Sequence, residues 1–123
     1  MLFRSYEYTL YYDNGNIKEH NKRDKAVKNS KTKYEGYHES GKLAAKGEYN
    51  EYQKKIGIWY GFNENADTTE ITEYYYDIIV KSKTYNEKKQ LIEEIILSDD
   101  YETMTETQFD ELGNISKIGR AHV

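Results

Sequence analysis

The chain has 123 residues, 33% of them charged and 37% apolar, with a net charge of −4; the length predicts one domain, and the apolar share is lean for a compact two-layer core. The absence of Cys excludes a disulfide framework and thiolate metal sites. Fourteen Tyr and no Pro favour sheet over helix, since a tyrosine ring packs at a half-wet surface while its hydroxyl stays hydrated.

At the N-terminal end, Leu2-Phe3 is followed at once by Arg4 and Glu7, which is unlike a signal peptide. No apolar run reaches the length needed to span a bilayer, so no membrane partner is expected. Alternation predicts a first strand with Tyr6, Tyr8, Leu10 and Tyr12 on one face. There the first of five related seven-residue phrases begins. They are Tyr11–Ile17, Tyr37–Leu43, Phe62–Thr68, Tyr85–Leu91 and Phe109–Ile115, each with an aromatic at position one and an acid at position three (Asp13, Glu39, Glu64, Glu87, Glu111). Subtracting successive aromatic positions gives steps of 26, 25, 23 and 24 residues. A fixed period in this range marks a repeat architecture.

Each phrase sits where a hairpin turn is needed. Gly15, Gly41 and Gly113 stand at position five, where glycine accepts positive φ at little cost. Ala66 and Lys89 replace it in the third and fourth repeats, so those turns are expected to use another geometry or to sit less tightly. The acids at position three are expected to bond backbone amides within their turns.

Between the first two phrases lies a basic run, Lys18, Lys22, Arg23, Lys25, Lys28, Lys31 and Lys33, opposed only by Glu19 and Asp24. No aromatic sits among these cations to stack a base, so the run reads as a solvated part of a lengthened first repeat, and no nucleic-acid partner is expected. Glu93, Glu94, Asp99, Asp100, Glu102, Glu106, Asp110 and Glu111 later form an acidic counterpart; stacking of like repeats lets two such patches pair end to end.

Further along, Ile58, Tyr60 and Phe62 are predicted on one face with Trp59 and Gly61 opposite, and Thr72, Tyr74 and Tyr76 alternate with Ile71, Glu73 and Tyr75. Residues 87–97 combine helix formers with apolar pairs four apart, yet the repeat phase predicts a strand there. The last six residues, Ile118-Gly119-Arg120-Ala121-His122-Val123, back-translate to a string resembling the common adapter of short-read sequencing libraries, followed in frame by a stop codon. Residues 118–123 are therefore read as adapter read-through outside the native protein, and residues 1–117 as a single hairpin-repeat domain truncated at its C-terminus.

The chain is thus expected to be all-β: about five antiparallel β-hairpin repeats of period 23–26 forming an elongated, twisted meander sheet in which each hairpin leans on its neighbours. Catalytic chemistry is not expected. His20 and His38 lack zinc-type spacing, and the acids lie about a repeat apart rather than converging on one ion. Asp99 and Asp100 are adjacent and point to opposite faces of a strand. No phosphate loop, nucleophile motif or dinucleotide fingerprint is present, so no metal and no cofactor are expected. The candidate interaction surface is Tyr49, Trp59, Tyr60 and Phe62; the candidate turn and anchor residues are Tyr11, Gly15, Tyr37, Gly41, Phe62, Tyr85, Phe109 and Gly113. Hairpin packing is the default role for Trp59, with an aromatic cage for a ligand as the alternative.

Residues 33–66 resemble a variant MORN repeat of the type found in the YwqK family of antitoxin-type proteins. The resemblance is carried by Tyr37, Gly41 and Leu43, then Gly47-Glu48-Tyr49, then Gly57-Ile58-Trp59 leading to Phe62. No second Gly-x-Trp follows. The C-terminal phrases, Tyr85–Leu91 and Phe109–Ile115, look more like tyrosine–aspartate (YD, Rhs-type) repeats of bacterial surface and toxin-shell proteins. The first resemblance implies a cytoplasmic, non-catalytic protein-interaction module, an antitoxin or scaffold, whose partner is another protein such as a toxin, or further repeats of its own chain. The second implies a fragment of a secreted, shell-forming protein. A binder of cell-wall glycans through aromatic repeats is the remaining alternative.

Overall fold

The computed structural model describes residues 5–24 and 30–123, and every regular element in them is a strand. The strands are β1 (Ser5–Tyr11), β2 (Ile17–Asp24), β3 (Thr32–Tyr37), β4 (Leu43–Tyr49), β5 (Lys55–Phe62), β6 (Thr68–Tyr75), β7 (Ile78–Tyr85), β8 (Leu91–Leu97), β9 (Thr103–Phe109) and β10 (Ile115–His122). They form one open sheet in strict sequence order, each antiparallel to the next. Residues 87–97 supply a turn and β8, as the repeat phase requires. Ile118 to His122 lie in β10 and pair with β9. Lys25 and Lys28 of the basic run lie outside the described residues.

The five phrases make the five connections at one end of the sheet, and their register is the same each time. The aromatic at position one pairs with position seven: Tyr11 with Ile17, Tyr37 with Leu43, Phe62 with Thr68, Tyr85 with Leu91 and Phe109 with Ile115. The register then slips by one residue beside every one of these pairs, leaving Lys18, Ala44, Thr69, Ile92 and Ser116 as the bulged residues. A bulge of this kind bends the strand and sharpens the local right-handed twist.

The turns themselves share one hydrogen-bond pattern. The position-two N–H donates to the position-six carbonyl, and the position-five N–H donates back to the position-two carbonyl, at 2.8–3.0 Å in all five. Position five has positive φ throughout: 89° at Gly15, 95° at Gly41, 83° at Gly113, and also 66° at Ala66 and 63° at Lys89. The expectation of a different geometry where glycine is missing is therefore corrected. The surrounding hydrogen bonds and the aromatic pair hold a left-handed conformation that costs an L-residue about 1–2 kcal/mol.

The acids need a second correction. None of the five position-three carboxylates accepts a backbone amide. The oxygen that does so sits at position two in three turns, where Asn63, Asn86 and Asp110 each accept two amides at 2.9–3.1 Å. In the first turn Asn14 plays the part at 2.9 Å. Short side chains on either side of position three, at two or at four, arch over their own turns, which is Asx-turn chemistry.

Strand alternation holds except at two ends. Tyr12 and Tyr76 lie beyond β1 and β6, in turns, so neither shares the strand face expected of it. One face carries a continuous cross-strand row, Tyr8, Asn21 and Tyr34, then Trp59, Thr72, Ser82, Ile95 and Glu106. Among the described residues only two large apolar side chains on this sheet are buried, Trp59 and Leu97. The rest of the buried set is polar, and Thr72 and Ser82 satisfy each other through a 3.0 Å hydroxyl pair. Among the described residues no second layer covers this sheet, so neighbouring hairpins supply its shielding.

Candidate functional site

The aromatic cluster is built around a missing side chain. A Cβ on Gly47 would lie 2.1 Å from the indole of Trp59, so only glycine lets that ring lie flat across β4. A shift in the β4–β5 register, with Gly57 at φ 68°, delivers Trp59 to this spot. Tyr34 stacks on the indole at 5.3 Å, while Tyr49 at 5.0 Å and Tyr74 at 6.2 Å meet it edge-on. The indole N–H donates to the Glu48 carbonyl at 3.1 Å. Burial, then nearby negative charge including that of Glu19, raises the pKa of the Tyr34 hydroxyl; burial, then neighbouring Tyr34 and Glu19, does the same at Tyr49.

Lys55 closes the cluster. Its Nζ lies 4.9 Å from the Trp59 ring centroid and 5.0 Å from that of Tyr74, within cation–π range. The Asp77 carboxylate accepts the Lys55 amide at 2.7 Å, and the Asp77 amide donates to the Lys55 carbonyl at 2.9 Å. The position that a ligand cation would take in an aromatic cage is thus filled by the chain itself.

The four candidate surface residues do not form one site. Tyr49 and Trp59 share a face; Tyr60 and Phe62 lie on the other, as alternation along β5 dictates. There Tyr60 and Phe62 stack at 6.3 Å with rings 16° apart, and Lys46 Nζ lies 5.3 and 5.9 Å from their centroids. Ile58 beside them is 50% exposed. This second face offers a wet aromatic strip with an aliphatic neighbour, whereas the first tucks its aromatics into packing.

A different feature, a ladder, joins one phrase turn to the next, and of the anchor residues only Tyr37 and Phe62 enter it, through their carbonyls. Asn14 and Asn16 donate to the Glu39 carbonyl at 3.0 and 2.7 Å, and the Tyr12 hydroxyl donates to the Tyr37 backbone carbonyl at 2.5 Å. Lys42 donates to the Glu64 carbonyl at 2.9 Å, His38 contacts the Phe62 carbonyl at 2.9 Å, and Ser40 donates to the Glu64 carboxylate at 2.6 Å. Lys89 pairs with Asp67 at 3.3 Å, and Gln90 donates to the Glu111 carbonyl at 3.1 Å. Every adjacent pair of phrase turns is connected. Sequence reading singled out aromatics and glycines and missed these side chains, although a polar residue at position six in all five phrases (Asn16, Lys42, Asp67, Gln90, Asn114) was there to be seen.

His20 lies between Glu7 at 3.1 Å and Glu35 at 3.5 Å, tying β1 to β2 and β3. At the end of the sheet away from the phrase turns, Tyr75 meets Tyr76 at 4.5 Å and Tyr101 at 6.3 Å, all three exposed. Among the described residues no group of three or more His, Cys, Asp or Glu side chains is arranged to hold a metal ion. In comparison with known proteins, no family model matches the sequence, and no curated protein matches it.

Proposed function

We propose that this chain is a non-catalytic protein-interaction module, an antitoxin-like or scaffold protein of the kind the MORN-variant resemblance suggests. The observation that supports this most is the single open layer: among the described residues no second layer covers either face of the ten-stranded sheet, while large apolar residues such as Tyr11, Ile58, Tyr75 and Tyr101 stay exposed. Contiguous exposed apolar surface marks a contact site, and here it runs along one face of β5, where Ile58 is exposed beside the stacked rings of Tyr60 and Phe62. The contact surface is the strip of Ile58, Tyr60 and Phe62 flanked by Lys46, with strand addition at an edge as the other route.

Co-expression with the products of neighbouring small genes tests this. A stable complex that survives Trp59→Phe but is lost in Ile58→Glu supports the reading; no complex with any neighbour-encoded protein sinks it. The turn-to-turn ladder favours a second reading, a fragment of a secreted YD-type shell in which sheet continuity is itself the function. A large downstream reading frame carrying further phrases would support that one. The buried indole and the Lys55 cation weigh against a wall-glycan cage, for which retention on wall polysaccharide is the measurement.

A further inference from the structure

The end of the sheet away from the phrase turns carries an aromatic group of its own. There the end of β6, its turn into β7 and the β8–β9 turn bring Tyr75, Tyr76 and Tyr101 together. Tyr75 meets Tyr76 at 4.5 Å with the rings 66° apart, and stacks beside Tyr101 at 6.3 Å with the rings 27° apart. Burial does not account for the group, since its three residues are 46–52% exposed. Ile78, opposite Tyr75 in the register, is exposed as well and extends the patch.

The backbone beneath these rings has a conformation that glycine would adopt more freely. Tyr76, Asp77 and Tyr101 have φ of 47°, 69° and 61°, the left-handed region in which a side chain is disfavoured. Glycine takes that region in three of the five phrase turns. These two turns place tyrosine there and leave its ring in solvent. Strain held without burial in return points to a use beyond folding.

Charge around the rings is acidic and partly uncommitted. Asp77 follows Tyr76, and Asp99, Asp100 and Glu102 flank Tyr101. Asp77 accepts the Lys55 amide, and Asp100 accepts the Ser98 hydroxyl and the Glu102 amide. The Asp99 and Glu102 carboxylates have no hydrogen-bond or ion-pair partner among the described residues. Lys55 lies over the Trp59 and Tyr74 rings, and Lys81 stands opposite Glu73.

Exposed aromatic faces beside free carboxylates select one chemistry. A guanidinium is planar, stacks on an aromatic face and binds carboxylates through paired N–H groups, whereas an ammonium offers its charge without that flat fork. The described part of this chain's own basic run holds one guanidinium, Arg23, and it donates to Ser30 at 3.0 Å. Lys22 and Lys33 stand between Glu7 and Glu48 in one cross-strand row. The complement therefore belongs to another protein.

We infer that Tyr75, Tyr76 and Tyr101 form a docking platform for an arginine-bearing segment of a partner protein, its guanidinium groups stacked on the exposed rings and paired with Asp99 and Glu102. This rests on the interaction-module reading and adds a second contact surface to the strip on β5.

Fluorescence anisotropy of the full chain with a labelled arginine–glycine repeat peptide tests the inference, against a lysine–glycine peptide of equal length and charge. Saturable binding is expected, about fivefold tighter for arginine than for lysine, the worth of one exposed stacking contact. Tyr101→Gly removes a ring and relieves a positive φ, so it is expected to keep or raise the denaturation midpoint while weakening arginine-peptide binding about fivefold. Glu102→Gln is expected to weaken it about threefold and to flatten its salt dependence. Equal affinity for the two peptides, binding unchanged in Tyr101→Gly, or no binding overturns the inference. Capture of a wall oligosaccharide on these rings with no arginine preference overturns it too. Arginine-peptide binding by a chain that forms no complex with a neighbour-encoded protein supports the inference and removes the neighbour-partner reading alone. A neighbour complex without peptide binding overturns the inference alone.

Discussion

Gly47 shows how much of this sheet turns on one absent methyl. With the Trp59 indole where that methyl would go, Gly47→Ala must push out the ring that Tyr34, Tyr49 and Tyr74 pack around. Overpacking of this sort costs about 1–3 kcal/mol; chemical denaturation should show the loss, together with a change in Trp59 fluorescence. Asp100 makes the residue-scale case for pH. The Ser98 hydroxyl at 2.6 Å, and then the Glu102 amide at 3.0 Å, hold its carboxyl pKa below the ordinary value. A depressed folded-state pKa means that the contribution of this turn is complete above the unfolded value, ~3.9, and is lost as pH falls through the folded one. Carboxyl NMR titration should place the Asp100 midpoint below that of an unperturbed aspartate, and Ser98→Ala should move it up.

At the scale of the hairpin, the turn imposes its conformation on whatever residue the sequence supplies. Ala66 and Lys89 adopt the left-handed geometry that Gly15, Gly41 and Gly113 occupy freely. Ala66→Gly and Lys89→Gly should each stabilise the chain by about 1 kcal/mol, measured as a shift in the denaturation midpoint at constant slope. Lys89→Gly also removes the rung to Asp67, but that exposed pair is worth little, so its net gain should fall only slightly short of that of Ala66→Gly. The period of the aromatics was legible because each one must close a turn against position seven. The bulge that follows was not, since Lys18, Ala44, Thr69, Ile92 and Ser116 share no chemical property; backbone geometry alone selects that place. The division of Trp59 from Tyr60 could be read from alternation. The Gly47 contact could not, because it depends on a non-local register shift.

At the scale of the whole molecule, no second layer covers the sheet among the described residues, which spreads stability along it instead of concentrating it in a core. The aromatic cluster bridges β3 to β6, and Leu97 marks a smaller buried point on β8. Amide hydrogen exchange should therefore be slowest in β4 to β7 and fastest in β1 and β10, with β10 least protected because its side chains are almost all exposed. Uniform protection across all ten strands would argue instead for a single all-or-none unit.

The meander also fixes how the chain responds to tension. With β1 and β10 at opposite margins, a pull on the two termini acts across the strands and peels the backbone bonds one after another instead of shearing them together. Each hairpin released would lengthen the tether by on the order of 80 Å, for about two dozen residues drawn out at ~3.5 Å apiece. The rungs between phrase turns lie at the end of the sheet away from both termini, so each is reached only after its strand has peeled, and a force-extension trace should show small regular teeth whose height follows the number of rungs broken, tallest where Asn14, Asn16 and Tyr12 grip their neighbour.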